Sequence, residues 1–321
     1  MSAAAPTRLL AVVHTEEEFD WTAPFSRAAR ATTHLAELDR AQAIFDRYGL
    51  KPLYVVDDPV ARDPAGVAKL AAWRDAGRAV IGAHLHPWVS PPFEEPLGPF
   101  WSYPGNLPAA LEEAKLARLT ALIEAAFGER PRHYVAGRYG FGPNTAAILE
   151  RLGIAVDLSP SPGFDFTADG GPDYGALGLA PRRLGALLQI PHTSAQVGAL
   201  AGGPLGRRLA RLGGPVGRGL RAATARARLR RRLRLSPEGA ELAALRALTR
   251  HALADGQPFL VLSFHSPSIV PGFTPYVRTR GDLERFLATL ERYIAWALGT
   301  ARIEAGDPAE LAATDPAARP G

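Results

Sequence analysis

Ala79-Val80-Ile81-Gly82-Ala83-His84-Leu85-His86-Pro87-Trp88 begins as an apolar strand and ends in reactive side chains. A short apolar run entered from Gly77 reads as a buried strand. Its two imidazoles are spaced i, i+2, so in an extended segment they point to the same side. Pro87 keeps the segment extended.

Six other runs share this character: Leu9–Val13, Leu53–Val56, His133–Ala136, Ile154–Leu158, Leu187–Ile190 and Phe259–Phe264. Helix-like stretches separate them, at Thr33–Tyr48, Pro64–Ala76, Pro108–Phe127, Asn144–Leu152, Gly239–Ala254 and Asp282–Leu298. Strand–helix alternation predicts an α/β fold with parallel strands. Roughly seven strands and six or seven helices suit a barrel better than a small open sheet. Residues 1–300 read as a single domain. Within it, 201–235 breaks the pattern: it opens Gly-rich, becomes Arg-dense over 226–234, and reads as an insertion of one or two basic helices. The tail over 301–321 is expected to be mostly loose.

In such a barrel the loops after the strands share one rim. The chemistry-bearing residues fall there: His14, Glu16 and Glu17 after the first strand, and Asp57 and Asp58 after the second. His84 and His86 follow the third, Arg138 and Tyr139 the fourth, Asp157 ends the fifth, His192 follows the sixth and His265 the seventh. Five of the eight histidines thus share one rim.

Composition narrows the chemistry. The 321 residues include no cysteine, which excludes disulfides and thiolate metal sites. A metal would need His and carboxylate ligands. Two same-side imidazoles with one carboxylate from another strand suit Zn, Fe, Co or Mn and leave positions open for water and substrate. Net charge is +5, but Lys occurs only at positions 51, 69 and 115, and the rest of the basic residues are Arg in an Ala/Gly/Pro-rich chain. That pattern reads as coding bias rather than as a nucleic-acid surface. The stretch 207–234 lacks aromatics for base stacking, so nucleic acid is not an expected partner; peripheral membrane contact is the expectation it leaves open. No run reaches the length of a membrane span, and residues 1–7 do not read as a secretory signal, so the expected localisation is cytoplasmic.

Three successive carboxylates, Glu16 to Glu18, ordinarily make a solvated charge run. Their place after a buried strand, between His14 and Phe19-Asp20-Trp21, favours a functional role. Leu262-Ser263-Phe264-His265-Ser266-Pro267 ends another apolar strand in a histidine, read as a catalytic acid rather than a core residue.

In this order the segments resemble the polysaccharide deacetylase (NodB-homology, carbohydrate esterase 4) family, in its divergent bacterial branch, over roughly Leu9 to Leu298 outside the insertion. The resemblance implies a distorted (β/α)7 barrel. It also implies a metal-dependent hydrolase acting on a carbon–nitrogen bond: a deacetylase that removes acetyl from an N-acetylated sugar or glycoconjugate, or an acetyl ester. Zn is the leading expectation for the metal, with Co, Fe, Mn or Ni as alternatives. Carried over by position, the catalytic base is His14, where the family usually has Asp. The metal ligands are Glu16, with Glu17 as its alternative, and His84 and His86, which the family usually spaces four apart. The arginine beside the base falls at Val135, so the nearest candidate is Arg138. The general acid is His265. Trp21, Trp88, Trp101 and Tyr139 are candidate walls for a sugar ring. A catalytically degenerate carbohydrate-binding protein on the same barrel is the alternative reading.

Overall fold

The computed structural model describes residues 5–198 and 231–313. Its strands are β1 (Thr7–Thr15), β2 (Leu53–Val56), β3 (Val80–Leu85), β4 (His133–Ala136), β5 (Val156–Asp157), β6 (Arg182–Leu184), β7 (Leu187–Gln189), β8 (Ser194–Val197), β9 (Arg231–Arg234), β10 (Phe259–His265) and β11 (Ile303–Ala305). The main sheet runs β10-β1-β2-β3-β4-β5-β7, seven strands in parallel, with β6 antiparallel on the β7 edge. These seven are the seven apolar runs of the sequence, and the architecture is a distorted (β/α)7 barrel.

Alternation along each strand divides the core. Leu9, Ala11 and Val13 of β1 pack with the flanking helices, whereas Leu10 and Val12 belong to a second cluster with Leu53, Val55, Val135, Val156 and Val261. That second cluster fills the barrel interior. Side chains two residues further along the inward rows therefore reach the rim from inside. His14 continues the row of Leu10 and Val12, and His265 continues that of Val261. The β1–β10 register sets His14 directly beside His265.

Helices on the outside carry conventional end signals. Ala109–Phe127 stops at Gly128, whose φ of 75° is left-handed. Arg280–Leu298 opens on a capping box made by Thr279 and Asp282. No helix among the described residues is long and apolar enough to cross a membrane.

Two expectations change. Residues 199–230, most of the expected helical insertion, lie outside the described residues. Its Arg-dense end is not helical: Arg231–Arg234 forms β9, antiparallel to β8. Arg231 and Leu233 point to one face of this strand and Arg232 and Arg234 to the other, and the chain just beyond it bridges to β10. Leu235 N–H donates to Thr193 O at 2.8 Å, and Ser263 N–H of β10 donates to Leu235 O at 3.0 Å. The tail, expected mostly loose over 301–321, carries a strand at Ile303–Ala305 and a helix at Pro308–Ala313. β11 pairs in parallel with the start of β1, and the helix Pro308–Ala313 places Leu311 and Ala312 in the interior cluster. Burial of those two apolar side chains beneath the barrel orders a segment whose composition suggested none.

Candidate metal centre

His84 and His86 leave the end of β3 on the inward side, and both are buried. Each is aimed by its Nδ1. His84 Nδ1 lies 2.8 Å from Val135 O on the neighbouring strand, and His86 Nδ1 lies 2.8 Å from Glu17 Oε2. With those nitrogens donating, both Nε2 lone pairs are free, and they converge on one atom: Glu16 Oε2 stands 3.3 Å from His84 Nε2 and 3.5 Å from His86 Nε2. Donors bound to one cation at about 2.1 Å stand about 3–3.5 Å apart around it, so the spacing fits. Glu16 Oε1 is buried with no hydrogen-bond partner, an acceptor left over where a cation would need one. Burial holds His84 and His86 below the usual imidazole range, in the neutral form that ligates metal. Burial alone would raise Glu16; the charge of His265 leads the effects that outweigh it and keep the carboxyl ionised.

Close backbone approach makes this possible. A Cβ on Gly137, just after β4, would stand 2.3 Å from Leu85 O and 2.6 Å from His86 Cδ2. Only glycine lets the two strand ends meet there.

The three successive glutamates have separate positions. Glu17 lies behind His86, accepting from Trp88 Nε1 at 2.7 Å while its own N–H donates to Asp57 Oδ2 at 2.8 Å. The group Glu17–Asp57–His86 is therefore satisfied internally, and Glu16 is the carboxylate that faces both Nε2 atoms. Asp57 also accepts from Val60 N–H at 2.9 Å, capping a short helix, and burial with Glu17 beside it pushes its carboxyl well up. Glu18 accepts from His34, whose other nitrogen lies 2.7 Å from Ser266 Oγ; that hydroxyl accepts from Glu16 N–H at 3.3 Å. Asp58 pairs with Arg30 and Arg62. Asp157 accepts from Ser159 and Gln189.

His14 and His265 complete the rim, with ring centroids 4.9 Å apart. His14 is buried and its Nε2 has no partner. Burial, then the charges of His265, His84 and His192, hold it well below the usual range, so it is neutral. His265 is the opposite case. Burial pulls it down, but Glu238 outweighs that and, with Glu16, pushes it up to about 9. Glu238 Oε2 lies 2.9 Å from His265 Nδ1, and Glu238 Oε1 accepts from His265 N–H at 3.1 Å. Two imidazoles thus stand side by side, one held neutral and the other cationic.

Arg138 is on the cavity wall, where its charge reaches His86 rather than His14. It donates to Ser102 Oγ and to Asp169 Oδ2, both at 2.7 Å, and stacks over Tyr103 at 4.3 Å. The arginine whose charge reaches His14 is Arg234 of β9. The site opens into a cavity of about 440 Å³ walled by Trp21, Trp88, Tyr139, Phe166 and Tyr276; Trp101 is not part of its lining. Glu238 and Arg234 are the site residues that sequence reading missed. Neither ends a main-sheet strand, and Arg234 sat inside a basic run that resembled a solvated helix.

A seven-stranded parallel barrel with a buried His/Glu donor set at its C-terminal rim is the arrangement of a metal-dependent hydrolase. The fold matches polysaccharide-deacetylase-like structures distantly and repeatedly. A Mycobacterium smegmatis protein designated a polysaccharide deacetylase superposes with a TM-score of 0.55 at 16% identity, covering 97% of this chain and 93% of that one. The allantoinase Puue superposes at 0.54 and 16% identity, covering 99% and 94%. A Pseudomonas aeruginosa PAO1 protein designated a polysaccharide deacetylase gives 0.52 and 16%, covering 96% and 90%. No protein-family model and no curated protein matches the sequence.

Proposed function

We propose that this chain is a deacetylase of the polysaccharide-deacetylase family that hydrolyses an acetamido or acetyl-ester group on a sugar, using Zn or a similar divalent cation. The observation that carries the reading is the convergence of His84 Nε2, His86 Nε2 and Glu16 Oε2 beside a neutral His14 and a Glu238-bound His265. A cation held by Glu16, His84 and His86 supplies Lewis acidity toward water and the acyl oxygen. The chain's own residues do the rest. His14, neutral and unpartnered at Nε2, takes a proton from the attacking water. His265 gives a proton to the departing nitrogen or oxygen as its bond to the acyl carbon breaks, so acetate and the amine or alcohol leave. Glu238 keeps that proton on His265 beforehand. Trp21 and Trp88 offer apolar faces to a sugar ring.

The test is metal content of the purified protein together with acetate release from N-acetylated sugars. His84→Ala is expected to lose both metal and activity. His265→Ala is expected to keep the metal and lose about 10²–10⁴-fold in rate, the usual contribution of a positioned acid. Acetate release that survives both substitutions rules the reading out.

A further inference from the structure

We propose that the substrate of this site carries an anionic group, a carboxylate or a phosphate, received by Arg234. The inference rests on the hydrolase reading and names its substrate class. Arg234 borders the same cavity as His14, Glu16, His84 and His265. It is firmly held there. Its Nε donates to Ser161 Oγ at 2.6 Å, and its guanidinium carbon stands 4.1 Å from the ring centroids of both Tyr139 and Phe164. Those contacts use one nitrogen and the flat faces. Nη1 and Nη2 make no hydrogen bond to any described residue, and no carboxylate among the described residues pairs with the charge.

The other charges on the cavity are already engaged. Arg138 is paired with Asp169. Asp20 is exposed and accepts from Thr22 N–H at 2.8 Å and from Thr22 Oγ1 at 2.7 Å. Glu16 faces the two histidines. Arg234 is thus the one cavity cation among the described residues that is fixed in place yet lacks a counter-charge. A half-buried guanidinium without a partner is costly, and a planar oxyanion that accepts from both Nη groups removes that cost. An arginine serving only to hold His14 neutral would affect neutral and anionic substrates alike, which gives the inference its test.

Binding is measured by quenching of tryptophan fluorescence, since Trp21 and Trp88 line the cavity. The probes are N-acetylglucosamine, its 6-phosphate, and the corresponding N-acetylated uronic acid. The wild-type protein is expected to bind one charged sugar about tenfold or more tighter than the neutral one, as for hydrogen bonds to a charged group. The preferred probe distinguishes phosphate from carboxylate. Arg234→Met is expected to abolish the preference, and Arg234→Lys, which keeps the charge, to retain part of it; thermal unfolding of both variants checks the fold. Equal affinity for neutral and charged sugars in the wild type overturns the inference. So does a preference that persists in Arg234→Met, or a loss there that is equal for all three probes. Acetate release, followed separately, keeps the two readings apart. An arginine-dependent preference without acetate release removes the hydrolase reading alone; release from the neutral sugar without any preference removes the anion alone.

Discussion

Glu17→Gln is the most discriminating single change at the metal centre. The carboxylate of Glu17 accepts from two donors, Trp88 Nε1 at 2.7 Å and His86 Nδ1 at 2.8 Å. Glutamine has the same shape but only one accepting atom. If its oxygen stays on Trp88, its amide N–H meets His86 Nδ1, donor against donor. His86 must then accept at Nδ1 and carry its proton on Nε2, the nitrogen 3.5 Å from Glu16 Oε2. A protonated Nε2 cannot ligate. If the amide turns the other way, Trp88 loses its partner and His86 its orientation. Loss of such an outer partner costs about 10–100-fold in metal affinity, or about 1.4–2.7 kcal/mol. The assay is competition for Zn with a chromophoric chelator near neutral pH, with Glu16→Gln in parallel. Glu16→Gln removes a direct donor and is expected to cost more. Unchanged affinity in Glu17→Gln, or a loss exceeding that of Glu16→Gln, refutes the assignment of Glu17 as orienter and Glu16 as ligand.

Two predictions concern stability. Lys115 is buried beneath the loop that follows His86, donating to Pro87 O, Ser90 O and Pro92 O and pairing with Glu95 at 3.0 Å. Lys115→Met strands the Glu95 carboxylate and three carbonyls, so urea titration is expected to show a loss of about 3–5 kcal/mol; a loss under about 1 kcal/mol would mean the loop holds without it. Burial, only partly offset by Thr145, pushes Glu112 up to about 7. Its folded pKa is thus above the unfolded value, and the folded state keeps a proton that the unfolded chain releases. Wild-type stability should fall as pH rises from about 4.5 to 7, by up to about 3 kcal/mol from this residue. Glu112→Gln should flatten that slope and be the more stable protein above pH 7, and parallel wild-type and variant curves would contradict it.

The seven barrel strands are legible because each is a short apolar run with turn signals, and β-pairing converts them directly into a sheet. The rim histidines are legible for the same reason: they stand at run ends. The choice between Glu16 and Glu17 is not, because it depends on how the chain turns after β1, where alternation no longer governs. Arg234 and Glu238 are hidden for a different cause. They reach the site from a ribbon whose pairing with β8 is long-range, and nothing local in an Arg-rich run separates a strand from a helix. The helix Pro308–Ala313 escapes notice because two apolar side chains suffice to dock it under the barrel.

The β8–β9 ribbon works as a reading frame. Val197 and Arg231 lie opposite each other at one end of the ribbon, and Ser194 and Arg234 at the other. What the ribbon cannot tolerate is a shift of phase. Sliding β9 by one residue against β8 would present Leu233 or Leu235 where Arg234 now stands, because successive side chains face opposite sides. The pairing of Ser194 with Arg234 is therefore what keeps the guanidinium on the cavity side of the ribbon.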